Sequence, residues 1–164
     1  EAAGAREEAE AFARRAHQKL GEDDVMGAQW LVRRSLRLYE TEMGRQLELR
    51  VQDRLADEAA VRRVLQAHDL FEVLGVKRDC LAADIKRSFI KLSKTVHPDK
   101  NGAKQANEAF DKLRTAQMTL SDTMARHEYE RMYPPRGRGA REWARAMERG
   151  ERNGGDVRPF RARG

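Results

Sequence analysis

The sequence is poor in the features that mark secreted, membrane-spanning or catalytic chains. Cys80 is the lone cysteine, so no internal disulfide forms and a reducing compartment is the natural expectation. No apolar run approaches the roughly eighteen to twenty residues of a membrane span, and no secretory signal pattern opens the chain. Because the chain begins at Glu1 rather than at a methionine, a processed product or a piece of something longer is expected, and a missing anchor or signal proves little. Neither a glycine-rich phosphate loop nor a nucleophile motif is present, which argues against an enzyme. His17, His68, His97 and His127 lack ligand-like spacing, so no metal or other cofactor is expected. Cys80 falls in the first turn of a predicted helix, where the dipole would lower its pKa; an ordinary thiol is the plainer alternative. With aromatics at 6% and charged residues at 37% of 164 residues, no large core is available. An extended all-helical protein with one compact region fits these totals. The four prolines and the turn glycines fall late or between periodic segments, which leaves long helical stretches uninterrupted.

The charge is uneven. Residues 134–164 hold nine arginines against four acidic groups and so carry most of the net charge of +6. The basic character belongs to this tail rather than to the whole chain. Rich in arginine and glycine and with little to bury, the tail is expected to be disordered. Ala140, Trp143, Ala144 and Met147 are spaced for a short amphipathic helix on docking.

Apolar periodicity places helices along the rest. Over residues 5–20, Ala9, Phe12, Ala13, Ala16 and Leu20 share one face, and GEDD ends the helix. Asp24 can cap the next helix, roughly 25–40, which buries some combination of Met26, Ala28, Leu31, Ser35, Leu38 and Tyr39. Together they predict an αα-hairpin over 1–41. Met43, Leu47, Val51 and Leu55, then Val61, Val64 and Leu65, form a narrow stripe on a connecting helix within 42–68.

The style changes at Asp69. In DLFEVLG, Asp69 is a helix N-cap, Glu72 stands in capping-box position and Gly75 is the stop. Asp79 can cap a helix from Cys80 to Val96, with Leu81, Ile85, Phe89, Leu92 and Val96 inward. Pro98 disfavours helical geometry at His97 and ends it, so HPDKNG is a loop. A helix over about 104–120 offers Ala106, Ala109, Phe110, Leu113, Ala116 and Leu120, and 123–132 is a short polar helix with Tyr129 inward. The outward side of the 80–96 helix carries Lys86, Arg87, Lys91 and Lys94, and no acid is expected to pair on that face. Charge stripes are commonly just solvated faces. This one runs into His97-Pro98-Asp99, a triplet expected by chance in roughly one chain of this length in a hundred.

DLFEVLGV, ADIKRSFIKLSKTVHPDKN, EAFDKLRTAQMTLSD and RHEY resemble, in order, the four helices and signature loop of the J-domain of the DnaJ co-chaperone family. The resemblance spans 69–131 and sets the expected domain at 69–133. It implies a four-helix J-domain with an antiparallel central pair, so that with the N-terminal helical hairpin and the disordered basic tail read above the expected fold is all-α. The function it implies is a contact surface. The basic residues Lys86, Arg87, Lys91 and Lys94, with Ile90 among them, meet a DnaK-type ATPase chaperone, and the loop His97, Pro98, Asp99, Lys100 and Asn101 transmits stimulation of ATP hydrolysis. Two departures stand out. Ile90 replaces a usually basic residue, which weakens or retunes the contact, and Thr95-Val96 replace a basic–aromatic pair, which alters packing. EAFARRAHQKL and GAQWLVRRSLRLYET resemble the helical segment before the J-domain in the membrane-anchored subfamily B homologues of the endoplasmic reticulum.

The expected function is therefore a J-domain co-chaperone, with an unfolded or specific client as a second partner. The competing expectation is an adaptor or nucleic-acid-binding protein that keeps the J fold without stimulating an ATPase, its Arg-rich tail gripping nucleic acid or an anionic surface. A cytoplasmic location is expected, or the cytosolic face of the endoplasmic reticulum if the chain is part of a longer anchored one. An exposed Trp30 would mark the hairpin as a binding surface.

Overall fold

Among the residues that the computed structural model describes, 2–135 together with 141 and 145, every regular element is a helix. The expectations for the tail, its disorder and a short helix over Ala140, Trp143, Ala144 and Met147, lie outside the described residues apart from Arg141 and Arg145. The chain divides into two compact units. One comprises 1–61 with the short segment 101–104; the other comprises 62–100 and 105–164.

The first unit is built on alanine. In α1 (Ala2–Gly21), Ala9, Ala13 and Ala16 are fully buried, and such small side chains let α2 (Val25–Leu38) approach closely. Val25, Ala28, Leu31 and Val32 of α2 complete the core with Leu47 and Val51 of α3 (Glu42–Gln66). Ser35 is buried too; its hydroxyl donates to the Ala9 carbonyl at 2.7 Å and so costs little. Asp24 caps α2 by accepting from the Gly27 amide at 2.8 Å. The Thr41 hydroxyl accepts from Gly44 at 3.0 Å at the start of α3, where a side chain on residue 44 would collide with Leu36. Met26 and Tyr39, candidates for the buried face, are exposed instead, and Val25 and Val32 take the inward positions. Met43 is also exposed, because the α3 stripe meets the core only from Leu47 onward.

The second unit holds α4 (Leu70–Leu74), α5 (Ala82–Val96), α6 (Ala106–Ser121) and α7 (Thr123–Met132), with the last turn of α3. Asp69 caps α4 through the Glu72 amide at 2.8 Å, and Gly75 ends it in the left-handed region at φ 66°. The Glu72 carboxylate reaches the His68 amide rather than that of Asp69, so the capping box is displaced by one residue. Burial opposes ionisation of Asp69, but the Glu72 amide and the Arg78 guanidinium hold its carboxyl below the usual range. α5 and α6, consecutive and joined by the loop 97–105, pack side by side, which a short connection makes antiparallel. Their contact buries Ile85, Val96, Ala109, Leu113, Ala116 and Leu120, while Phe110, Phe89 and Leu92 are half-buried.

Phe71 centres this core. The Arg78 guanidinium lies 5.0 Å and that of Arg126 5.5 Å from its ring centroid. Arg126 also donates to the Arg78 and Cys80 carbonyls at 2.7 and 3.1 Å. Tyr129 packs inward against Phe71, and its hydroxyl accepts from the Leu70 amide at 3.0 Å. Lys112 of α6 donates to the carbonyls of Leu65 and Ala67 at 2.7 and 3.0 Å, satisfying the orphan acceptors where α3 ends.

The start of α5 differs from expectation. The helix begins at Ala82, and the Asp84 carboxylate accepts from the Leu81 amide at 3.0 Å, so Asp79 is not the cap. Leu81 then precedes the helical register and is 62% exposed rather than inward. Cys80 likewise lies before the helix, beyond the stabilising end of its dipole. Burial pushes its thiol pKa up, against the opposing field of Arg126.

Candidate functional site

α5 presents two unlike faces. Ile85 and Val96 point into the core, and Lys86, Arg87, Ile90, Lys91 and Lys94 are exposed on the other side. Lys86, Lys91 and Lys94 form no ion pair among the described residues. Arg87 does: its guanidinium meets the Asp84 carboxylate one turn earlier, contrary to the expectation of a face without a pairing acid. A three-residue spacing brings Asp84 alongside Arg87. The Leu81 amide, with Arg87 second, holds the Asp84 carboxyl below its ordinary range. Ile90 sits in the middle of these cations, 45% exposed.

The helix ends where proline chemistry requires. His97 has extended geometry at φ −63° and ψ 127°, as a residue before proline prefers. The Lys100 amide donates to the His97 carbonyl at 2.9 Å and closes a tight turn around Pro98 and Asp99. Within it the Asp99 amide donates to His97 Nδ1 at 3.2 Å, which makes Nδ1 the acceptor and leaves Nε2 to carry the ring proton. The His97 ring stands edge-on to Phe110 of α6, centroids 5.2 Å apart. Histidine thereby joins the loop to the helix pair, while the Asp99 side chain is 86% exposed. Val96 beneath is fully buried and Thr95 is exposed, so this departure changes packing under the loop without closing it off.

Beyond the turn the candidate residues part company. Lys100 remains exposed. Asn101 is only 3% exposed, and its side chain is turned inward. Its amide donates to the Asp57 backbone carbonyl at 3.1 Å, and its Oδ1 accepts from the Ala103 amide at 2.9 Å. The Gly102 amide donates to the Asp57 carboxylate at 2.9 Å, and Lys104 pairs with Asp23 at 2.8 Å. Asp23 also pairs with Arg54 and adopts a left-handed backbone at φ 63°, tolerable for aspartate. Its carboxyl is held below the ordinary range, first by Lys104 and then by Arg54, against some desolvation. Asn101 therefore bonds within the segment and to the Asp57 backbone. Asp57, Asp23 and Arg54, which hold the segment 101–104, are residues that sequence periodicity missed, because none stands near the triplet in the chain; Phe110 lies on the apolar face that periodicity assigned to its helix.

The turn is thus preceded by a cationic helix and bears one exposed carboxylate; no group of residues suited to holding a metal ion lies among the described residues. No helix among them is long and apolar enough to cross a membrane.

The family model for the DnaJ domain matches residues 69–130. DnaJ homolog subfamily B member 12 of Bos taurus is 42% identical over 83 residues, covering 51% of this chain and 22% of that protein. Chaperone protein dnaJ 49 of Arabidopsis thaliana is 36% identical over 72 residues, 44% of this chain and 20% of the relative. Chaperone protein DnaJ of Exiguobacterium sibiricum is 44% identical over 66 residues, 40% of this chain and 18% of the relative. The chain thus spans about a fifth of the length of these relatives. No solved structure matches it. The chain therefore carries a DnaJ domain over residues 69–130, from the cap at Asp69 into α7.

Proposed function

We propose that the chain acts as a co-chaperone that binds a DnaK-type ATPase through the outer face of α5 and stimulates its ATP hydrolysis through the His97-Pro98-Asp99 turn. One observation carries the proposal. Lys86, Lys91 and Lys94 are exposed without internal partners, on the helix that leads directly into the exposed Asp99 carboxylate. Unpaired lysines steer an acidic partner over a distance set by ionic screening and give the encounter a direction. Asp99 then supplies a short-range acceptor for a cation or amide of the partner. The turn, already closed by the Lys100–His97 hydrogen bond, pays less ordering entropy on binding.

Stimulation follows if the turn binds the hydrolysis-competent conformation of the ATPase more tightly than the resting one, since only differential affinity moves that equilibrium. The chemistry then belongs to the partner, and this chain is a contact module. Single-turnover ATP hydrolysis by a DnaK-type chaperone, with the native chain and with His97→Gln, tests the proposal. Loss of stimulation in the variant, with helical content unchanged, is the expected result. Failure of the native chain on a chaperone that responds to another J-domain protein would remove the mechanism.

A further inference from the structure

A second exposed stripe belongs to the first unit and is not used by the co-chaperone reading. On α2, Met26, Trp30, Arg33 and Arg37 follow one another at spacings of four, three and four residues, which sets them in a single row about 16 Å long. All four are exposed, Met26 at 66% and Trp30 at 63%. The core takes nothing from this row: α2 is held by Val25, Ala28, Leu31, Val32 and Ser35 on its other side. A large aromatic left in water on a well-packed helix is a cost that folding alone does not explain.

The charges nearby sharpen the point. α2 contains no acidic residue, and Arg33 and Arg37 form no ion pair among the described residues. Every acid flanking the helix is already engaged. Glu22 and Asp24 pair with Lys19, Asp23 with Lys104 and Arg54, and Glu40 with Arg45. Arg34, by contrast, lies over the Phe12 ring at 5.9 Å and is committed to the fold. The row therefore offers an apolar end and two guanidinium forks with nothing of its own to neutralise them. Arginine is the residue best matched to carboxylate in this setting, because its planar donors engage it bidentately.

We propose that this row is a docking surface for an acidic peptide segment of a partner protein, with one or two apolar side chains against Met26 and Trp30 and carboxylates at Arg33 and Arg37. The other occupants fit less well. A second copy laid parallel would oppose arginine to arginine, and laid antiparallel would bring four guanidiniums together with no carboxylate to meet them; the basic tail at 134–164 carries the wrong charge. A bilayer would draw in a broad apolar face, but the apolar face of α2 is spent on the core and only two side chains remain.

The test uses the full chain with Trp143→Phe, so that Trp30 is the sole tryptophan. The probes are fluorescein-labelled synthetic peptides joining Leu-Phe to Glu-Asp-Glu in both orders, and the same peptides with lysine replacing each acid. Anisotropy should show saturable binding of an acidic probe in at least one order and none of the lysine forms. Unlabelled acidic peptide should shift Trp30 emission to the blue. Arg33→Glu with Arg37→Glu, and separately Trp30→Ala, should each weaken binding about tenfold, whereas Arg34→Lys should change it less than about twofold. Thermal melts of the row variants should match the parent. The proposal is overturned if no acidic probe binds, if Arg33→Glu with Arg37→Glu binds as well as the parent, or if only vesicles of phosphatidylcholine and phosphatidylserine, or oligouridylate RNA, shift Trp30.

Discussion

Two helices of this protein, α2 and α5, expose a cationic row interrupted by apolar side chains, yet the rows are built differently. On α2 the exposed cations are arginines, the apolar part is Met26 and Trp30, and the helix runs out at Tyr39. On α5 they are mostly lysines around a single Ile90, and the helix runs into a hydrogen-bonded turn. Lysine is compact and strongly hydrated, suited to attraction at a distance, while arginine and tryptophan act at contact. The difference teaches that a positive helix face is not one kind of site. On the two proposals made above, the α5 row would guide a partner towards the turn, and the α2 row would itself be the grip.

The largest expected effect tests the guiding role. Lys91→Glu with Lys94→Glu should raise the concentration for half-maximal ATPase stimulation by about 30- to 150-fold, or roughly 2–3 kcal/mol for two reversed interfacial charges. Maximal stimulation at saturation should change little, and raising salt should narrow the gap. Steady-state ATPase titrations at two ionic strengths measure both quantities. If Arg33→Glu with Arg37→Glu behaved identically in that assay, the distinction between the rows would fail.

A smaller effect probes what α2 lacks, an ordered turn at the end of its row. Asp57→Ala removes the acceptor for the Gly102 amide while leaving the backbone carbonyl that holds Asn101. Hydrogen exchange at Gly102 should accelerate about tenfold, the usual worth of one hydrogen bond to a charged acceptor at a partly open site. Unchanged exchange, followed by NMR, would mean that the carboxylate does not order the segment.

The smallest effect concerns Ile90. Ile90→Lys makes the α5 row uniformly cationic, and half-maximal stimulation should move to about two- to threefold lower concentration, as one exposed charge allows. A loss of affinity would show instead that Ile90 contacts the partner as an apolar anchor, bringing the α5 row closer to that of α2.

Most of the helices are legible in the chain because their determinants are local. Asp24 and Asp69 cap where their short polar side chains precede an apolar period, Gly75 stops α4 by adopting positive φ, and Pro98 ends α5. The triplet and the lysines of α5 are legible for the same reason. Where two local solutions compete, the pattern falls short. Asp79 and Asp84 are both able to serve the start of α5, and the choice of Asp84 leaves Leu81 in water. Met26 and Val25 are adjacent and similarly apolar, and only the direction from which α1 approaches decides which is buried.

By itself, the sequence determined an all-helical protein with a DnaJ domain over 69–130, since caps, periodicity and the His-Pro-Asp turn act within a few residues of one another. Tertiary structure alone decided the fates of Asn101 and Trp30. Asn101 looks like part of an exposed loop until the Asp57 backbone carbonyl, 44 residues away, accepts from its side-chain amide and the side chain is buried. The sequence leaves the exposure of Trp30 open, and it is settled only when Ala9, Ala13, Ala16 and their partners fill the interior of the hairpin without it. The physical reason is the same in both cases. Burial depends on which surfaces meet, and a one-dimensional pattern specifies a residue's own preference but not the neighbour that satisfies it.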